Sequence, residues 1–306
     1  MPEPYEPSLH SIAELVEQRG AETPRVDYLI AYDDQAARRA FPYAEFARRV
    51  ARAAGYLAAR GVGRGDRVAT LLHNHHEVPF LMFGAWRLGA AVVPLNVEET
   101  PARKRFILEN AEAVLLFTLP EFEPEVRSYL TELPHLRAVI PVEAELDFGP
   151  EEAGAAAQLD DEALIVYTSG TTGNPKGVVL TQYNLLADAD AIAAWFAIQP
   201  GERWMCVVPI HHVNGIVVTL LSPLYAGGAV VLNRRFSPRT FWPRAAAEGV
   251  SVSSLVPTLL EYLMEAGGTP PPTMRGVICG AGPLAVETVL RFEERFGIPV
   301  WHGYGL

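Results

Sequence analysis

The spacing of apolar residues changes period along this chain, and each change marks an element. Leu9, Ile12, Leu15 and Val16 share one helical face, which predicts a short amphipathic helix over 8–18. Phe46, Val50, Ala53 and Leu57 repeat at the same spacing. A longer helix is expected over 41–60, ended by Gly61 and Gly63. Its Arg48, Arg49 and Arg52 point away from that face and read as a solvated surface. Short aliphatic runs follow. Strands are expected at 66–72, 91–94 and 114–118, with helices at about 76–88 and 101–110 between them. This alternation predicts βαβ units and a mostly parallel sheet.

Residues 121–162 break the pattern. They are acidic, irregular and rich in Ala, Gly and Pro, and only 136–140 reads as a strand. The stretch is expected to be a peripheral connection. Periodicity then returns. Strands are expected at 163–166 and 178–180, and Thr181 is placed to cap a helix running to about 197. Further strands are expected at 204–209, 229–232, 250–253, 276–279 and 299–301. The helices between them fall at 213–225, from Ser237-Pro238 to Gly249, and at 258–265 and 284–296.

Between the strands at 163–166 and 178–180 lies Tyr167-Thr168-Ser169-Gly170-Thr171-Thr172-Gly173-Asn174-Pro175-Lys176-Gly177. Glycines let backbone N–H groups approach an anion closely. Thr168, Ser169, Thr171 and Thr172 add neutral donors, and Lys176 adds a mobile point charge. Together they can cradle phosphate oxygens. A Walker loop is excluded, because that motif needs Gly-Lys-Ser/Thr opening a helix, and here Pro175 precedes the lysine and a strand follows. The plainer alternative is a polar hairpin turn, which needs neither the lysine nor a string of hydroxyls.

This stretch resembles the signature loop of the adenylate-forming superfamily, which includes AMP-forming acyl-CoA synthetases, aryl-CoA ligases, luciferases and peptide-synthetase adenylation domains. The resemblance implies that a carboxylate and Mg2+-bound ATP give acyl-AMP and pyrophosphate, after which CoA takes the acyl group. It implies an α/β fold of two packed subdomains with mostly parallel sheets, about 66–199 and 200–306, with residues 1–65 packing on the second. By the same resemblance Thr168, Ser169, Gly170, Thr171, Thr172, Gly173 and Lys176 hold phosphate, and Lys176 is catalytic.

Pro209-Ile210-His211-His212-Val213-Asn214-Gly215 follows a strand and precedes a helix, the kind of edge where open α/β sheets bind ligands. On residues alone, two histidines there are more simply structural. The segment resembles the superfamily's Pro-x-aromatic-His-x-x-Gly wall of the carboxylate pocket, with His211 where an aromatic is usual and His212 at the matching histidine. That implies a substrate pocket of His211, His212, Val213, Asn214, Gly215, Thr258 and Gly280, with His212 also catalytic. Gly280-Ala281-Gly282-Pro283, by itself a common strand-to-helix turn, resembles the segment bordering adenine, with Gly282 in place of alanine. Gly303-Tyr304-Gly305 resembles the opening of a Tyr-Gly-x-Thr-Glu motif whose tyrosine stacks on adenine. The glutamate that holds magnesium would come after Leu306, so no metal ligand is expected within the chain. The implied reading is a truncated N-terminal domain. Its rivals are an amino-acid adenylation domain and an inactive nucleotide-binding fragment.

Composition narrows the field. Hydrophobic residues are 49% of 306, enough for a sizeable core. A formal net charge of −11 with no block of basic residues argues against nucleic acid as a main partner. The expected partners are a small carboxylate, ATP and CoA, and homo-oligomerisation is left open. Cys206 and Cys279 sit in apolar runs and read as buried free thiols of a reducing, cytoplasmic compartment. The acidic, Pro-rich start is not a signal peptide, and Pro223, Gly227 and Gly228 break the most apolar stretch, 216–232, so no membrane span is expected. His73, His75 and His76 have no companion at ligand spacing and read as a polar turn rather than a metal site.

Overall fold

A computed structural model describes residues 8–143, 145–168 and 174–304. Its first elements are α1 (Ile12–Glu22), β1 (Asp27–Tyr32), β2 (Arg38–Pro42), α2 (Tyr43–Ala58), β3 (Arg67–Leu71) and α3 (Glu77–Arg87). Then come β4 (Ala91–Pro94), α4 (Pro101–Asn110), β5 (Leu115–Thr118), α5 (Glu123–Ser128), β6 (Ala138–Pro141), β7 (Glu162–Thr168), β8 (Lys176–Thr181) and α6 (Gln182–Trp195). After β9 (Arg203–Cys206) a π-helix (Asn214–Leu221) leads into α7 (Ser222–Ala226) and β10 (Ala229–Asn233). The rest is α8 (Pro238–Glu248), β11 (Val250–Leu255), α9 (Pro257–Ala266), β12 (Gly276–Cys279), α10 (Val286–Phe296) and β13 (Val300–His302).

Two compact units result. One holds the chain to residue 25 and 42–188, and the other holds 26–41 and 189–306. The sequence reading had placed all of 1–65 with the second. Only β1 and most of β2 go there, because β1 pairs with β10. Helices α1 and α2 stay with the first unit, where Phe46 of α2 packs on Phe80 and Phe83 of α3, with ring centroids 5.5 and 5.3 Å apart. Burying one such ring contributes about 1.5–3 kcal/mol. Gly84 of α3 sets how closely these helices approach: a β-carbon there would lie 3.0 Å from Ala53 Cβ and from Ala54 N.

The sheet of the first unit runs β6-β5-β3-β4-β7-β8, parallel except for the antiparallel pair β7–β8. That of the second runs β13-β12-β11-β9-β10-β1-β2. Its inner strands β9 to β12 are buried nearly end to end, and β10 and β12 accordingly read as continuous apolar runs rather than alternating ones. Strand β9 sits between β10 and β11. The chain leaves β9 for one side and then crosses to the other, which makes the carboxyl end of β9 a switch point.

Three expectations change. The connection 121–162 contains α5, whose Val126 is fully buried, so it is not wholly irregular. The supposed solvated face of α2 is only partly so. Arg48 is exposed, but Arg49 lies over the Phe80 ring, 5.5 Å from its centroid, and pairs with Glu145, while Arg52 donates to the Gly149 carbonyl. The helix expected over 213–225 is a π-helix followed by α7. The caps at Thr181 and Gly249 stand: Asn184 N donates to Thr181 Oγ1 at 3.3 Å, and Gly249 takes a left-handed φ of 60°. At Ser237 no side-chain cap forms. Cys206 and Cys279 are free and buried, and burial pushes their thiols up to about 12 and about 11. Among the described residues no helix is long and apolar enough to cross a membrane.

Candidate active site

The two units carry different parts of the expected chemistry. In the first, Thr168 lies opposite Lys176 and Tyr167 opposite Gly177 across the β7–β8 ladder. The two ends of the signature segment are therefore joined by an antiparallel ladder. Ser169, Gly170, Thr171, Thr172 and Gly173 lie outside the described residues. Thr168 and Lys176 flank them, both exposed. Gly177 has a packing reason, since a β-carbon there would stand 3.0 Å from Tyr167 Cζ and from Ile165 Cγ2. Tyr167 in turn donates its hydroxyl to Asn110 Oδ1 at 2.7 Å. A tyrosine and a glycine thus brace this end of the ladder.

His73, His75 and His76 precede α3 in this unit. His76 and Glu77 are buried, with His76 Nε2 and Glu77 Oε1 3.4 Å apart, and the rings of His75 and His76 have centroids 4.1 Å apart. The turn is a packed polar cluster rather than an exposed one. Among the described residues no group of three His, Cys, Asp or Glu is placed to hold a metal.

In the second unit the expected residues gather at the carboxyl ends of adjacent strands. His211 and His212 follow β9, and their Nε2 atoms meet at 3.0 Å, so one donates and the other accepts. His212 keeps a solvent-facing side, yet the protein around its ring disfavours the charged form and lowers its pKa. Gly215 is obligatory, because a β-carbon would lie 2.6 Å from the Pro209 carbonyl oxygen. Asn214 Oδ1 accepts from Ser254 Oγ at 2.7 Å. Val213 is half-buried beside them.

On β12 and β13, Gly303 N donates to the Cys279 carbonyl at 2.9 Å, and Gly280 N to that of Leu255 at 3.3 Å. Ala281 adopts a left-handed φ of 61° without being glycine. Gly282 faces Pro257, where a β-carbon would make an ordinary 3.7 Å contact with Cδ. Pro283 and Thr258 are exposed, and Tyr304 is 87% exposed. Gly305 lies outside the described residues. Such an edge can receive a planar ring against bare backbone on the β12–β13 side. It can offer hydrogen bonds on the β9–β11 side.

Sequence reasoning missed Ser254. A signal existed: β11 carries Ser251, Ser253 and Ser254 in an otherwise apolar, buried strand, and buried hydroxyls need acceptors. Ser251 finds Glu202 Oε1 at 2.6 Å, with the Arg203 carbonyl at 3.1 Å, and Ser253 donates to the Met205 carbonyl at 2.9 Å. Only Ser254 reaches a side chain of the expected site.

The AMP-binding enzyme family matches residues 16–306. The chain belongs to that family. Within it, the sulfoacetate–CoA ligase of Cupriavidus necator is 34% identical over 306 residues, covering 97% of this chain and 59% of that protein. The 2-succinylbenzoate–CoA ligase of Bacillus subtilis is 32% identical over 291 residues, covering 94% of this chain and 57% of that protein. Among solved AMP-binding relatives, the inhibitor-bound N-terminal domain of FACL13 from Mycobacterium tuberculosis superposes with a TM-score of 0.87 at 25% identity, over 97% of this chain and 76% of that one. The AMP complex of the Bacillus subtilis o-succinylbenzoate CoA synthetase superposes with a TM-score of 0.83 at 31% identity, over 95% of this chain and 58% of that one. The chain thus spans rather less than two thirds of the curated relatives it matches, their N-terminal part.

Proposed function

We propose that this chain is the larger, nucleotide- and acid-binding part of an AMP-forming acid–CoA ligase. In the first half-reaction a carboxylate oxygen attacks the α-phosphorus of ATP. The bond from that phosphorus to the bridging oxygen breaks, and pyrophosphate leaves. In the second, the sulfur of CoA attacks the acyl carbon, the thiol proton is lost, and AMP leaves. The match over residues 16–306, with CoA ligases among the relatives, carries this reading.

The roles follow from the side chains. Lys176 and the hydroxyls and N–H groups of 168–173 take the β- and γ-phosphates, where charge grows as pyrophosphate departs. Gly280 to Pro283 and Gly303 to Gly305 take the base, with Tyr304 as the stacking face. His212, kept neutral by its surroundings, orients the acid by hydrogen bonding rather than by ion pairing. A reading as amino-acid adenylation finds no support, since 207–218 contains no acid to meet a buried ammonium.

Calorimetry with ATP and AMP tests the nucleotide half, and acid-dependent exchange of labelled pyrophosphate into ATP by the protein containing this chain tests the chemistry. Saturable nucleotide binding with acid-dependent exchange is expected. Absence of nucleotide binding would overturn the reading.

A further inference from the structure

Asn214 opens the π-helix with its side-chain oxygen already engaged. The donor, Ser254 Oγ, is 2.7 Å away on a fully buried residue of β11, paired in register with Cys206 of β9. The Ser254 end of the contact therefore rests on a central strand. An amide is planar, so fixing Oδ1 also fixes Nδ2, and two N–H donors are directed away from Ser254. Two and three residues earlier, His212 and His211 bring their Nε2 atoms to 3.0 Å. Thus four polar side chains stand at the carboxyl ends of neighbouring strands. The helix that follows is apolar at Ile216, Val217, Leu220 and Leu221, all fully buried. No acidic residue occurs from 207 to 218, so nothing on this segment repels an anion.

An alkyl chain laid on this edge would strip water from the oriented amide and the imidazoles and return nothing. A group rich in acceptor oxygens would replace that water with hydrogen bonds, and an anionic one would make them charge-assisted. The π-helix agrees with this view, since such widened turns are frequent at functional sites.

We propose, resting on the acid-activating reading above, that Asn214 and the His211–His212 pair recognise a second anionic oxygen group on the acid, with Ser254 as the positioning residue. The preferred class is a short acid with a carboxylate or sulfonate at its far end, ahead of a plain aliphatic acid of equal length.

The test needs no turnover. Titrate the chain, with AMP present, with glutarate, 4-sulfobutyrate and pentanoate, and follow the imidazole C–H resonances of His211 and His212. The doubly anionic acids are expected to bind at least about tenfold more tightly, the factor one charge-assisted hydrogen bond supplies. Asn214→Asp is nearly isosteric and keeps an acceptor for Ser254, but it replaces two donors with a negative charge. It should abolish the preference, with an unchanged thermal midpoint as its folding control. Ser254→Ala should reduce the preference at least about threefold by freeing the amide. Equal binding of pentanoate and glutarate, or a ratio that Asn214→Asp leaves intact, overturns the proposal. AMP binding with no acid binding overturns this proposal alone. Failure of AMP itself to bind overturns the acid-activating reading and this one with it.

Discussion

A β-carbon on Gly280 would stand 2.7 Å from the carbonyl oxygen of Gly303. The two residues extend β12 and β13, and Gly303 N is held on the Cys279 carbonyl at 2.9 Å. Backbone meets backbone here, so no side-chain rotation can relieve a clash. Gly280→Ala is expected to destabilise the chain by about 1–3 kcal/mol, the usual range for overpacking. Urea unfolding followed by circular dichroism measures it. A midpoint equal to that of the parent would show that the two strand ends are not held together.

Ala281 follows directly, with a left-handed φ of 61° and an exposed side chain. For an L-residue that region costs about 1–2 kcal/mol, part of which glycine returns as unfolded-state entropy. Ala281→Gly is therefore expected to stabilise by up to about 1 kcal/mol. Strain of this kind collects at functional segments. A destabilised Ala281→Gly variant would mean the side chain makes contacts worth more than the strain.

The sequence contains two lysines, Lys104 and Lys176. Lys104 is 2% exposed, with Nζ 4.2 Å from the centroid of the Phe122 ring and 3.4 Å from Glu125 Oε2. Lys176 is exposed. A short pulse of an amine-reactive label should therefore mark Lys176 and the N-terminal amine, with Lys104 far behind, by peptide mapping. If Lys176 meets nucleotide phosphates, ATP should slow its labelling at least about tenfold, and in the whole enzyme Lys176→Ala should cost more in adenylation rate than in ATP affinity. Labelling indifferent to ATP would remove Lys176 from the phosphate site.

Much of this was legible from the residues. Parallel strands buried on both faces leave unbroken aliphatic runs, so β4 and β12 were located to the residue at 91–94 and 276–279. The hairpin β1–β2 was not read, although Tyr28 to Tyr32 is such a run. The acidic turn after it, where Asp33 Oδ1 accepts from Ala37 N at 2.8 Å and Ala36 takes φ 61°, lacks the glycine that usually marks a hairpin. The unit boundary was misplaced for the same reason, because β1 and β2 belong to a sheet whose other strands begin only at Arg203. The histidine and glycine segments of the site could be found by resemblance. Ser254 could not, since what it does depends on which strand the topology sets beside β9.

Glu248 ends α8 with its side chain only 4% exposed. Arg38 Nε donates to it at 2.6 Å, Arg203 Nη1 at 2.8 Å and the Tyr32 hydroxyl at 2.5 Å. Burial would raise its pKa, but Arg38, Tyr32 and Arg203 outweigh that and hold it below the usual 4.5. A depressed folded value gives stability that is present above 4.5 and is lost as pH falls through the folded value. Glu248→Ala strands two partly exposed arginines, so a loss of about 2–3 kcal/mol is expected, below the range for fully buried pairs. The loss should shrink as pH falls from 4.5 through the lower folded value, below which the parent carboxylate is itself protonated. A deficit that does not change with pH would mean that packing, not charge, is what Glu248 supplies.

His212 titrates in the opposite sense. Its folded pKa lies below the ordinary 6.5, because the protein around it disfavours the imidazolium. Its neighbour adds a second constraint. The Nε2 of His211 is 3.0 Å away, so charging both rings would set two cations side by side. Below 6.5 the unfolded chain binds protons that the folded chain refuses, so stability contributed by the neutral ring is full above 6.5 and declines as pH falls. Two measurements check this. The His212 C–H resonance should move with a midpoint below 6.5. Unfolding free energy followed from pH 7.5 to 5.5 should fall less steeply in His212→Gln than in the parent, since glutamine keeps a hydrogen-bonding side chain but cannot charge. A midpoint at or above 6.5, with identical slopes for the two proteins, would mean that His212 is solvated like any surface histidine and cannot act as a neutral hydrogen-bonding group toward an acid.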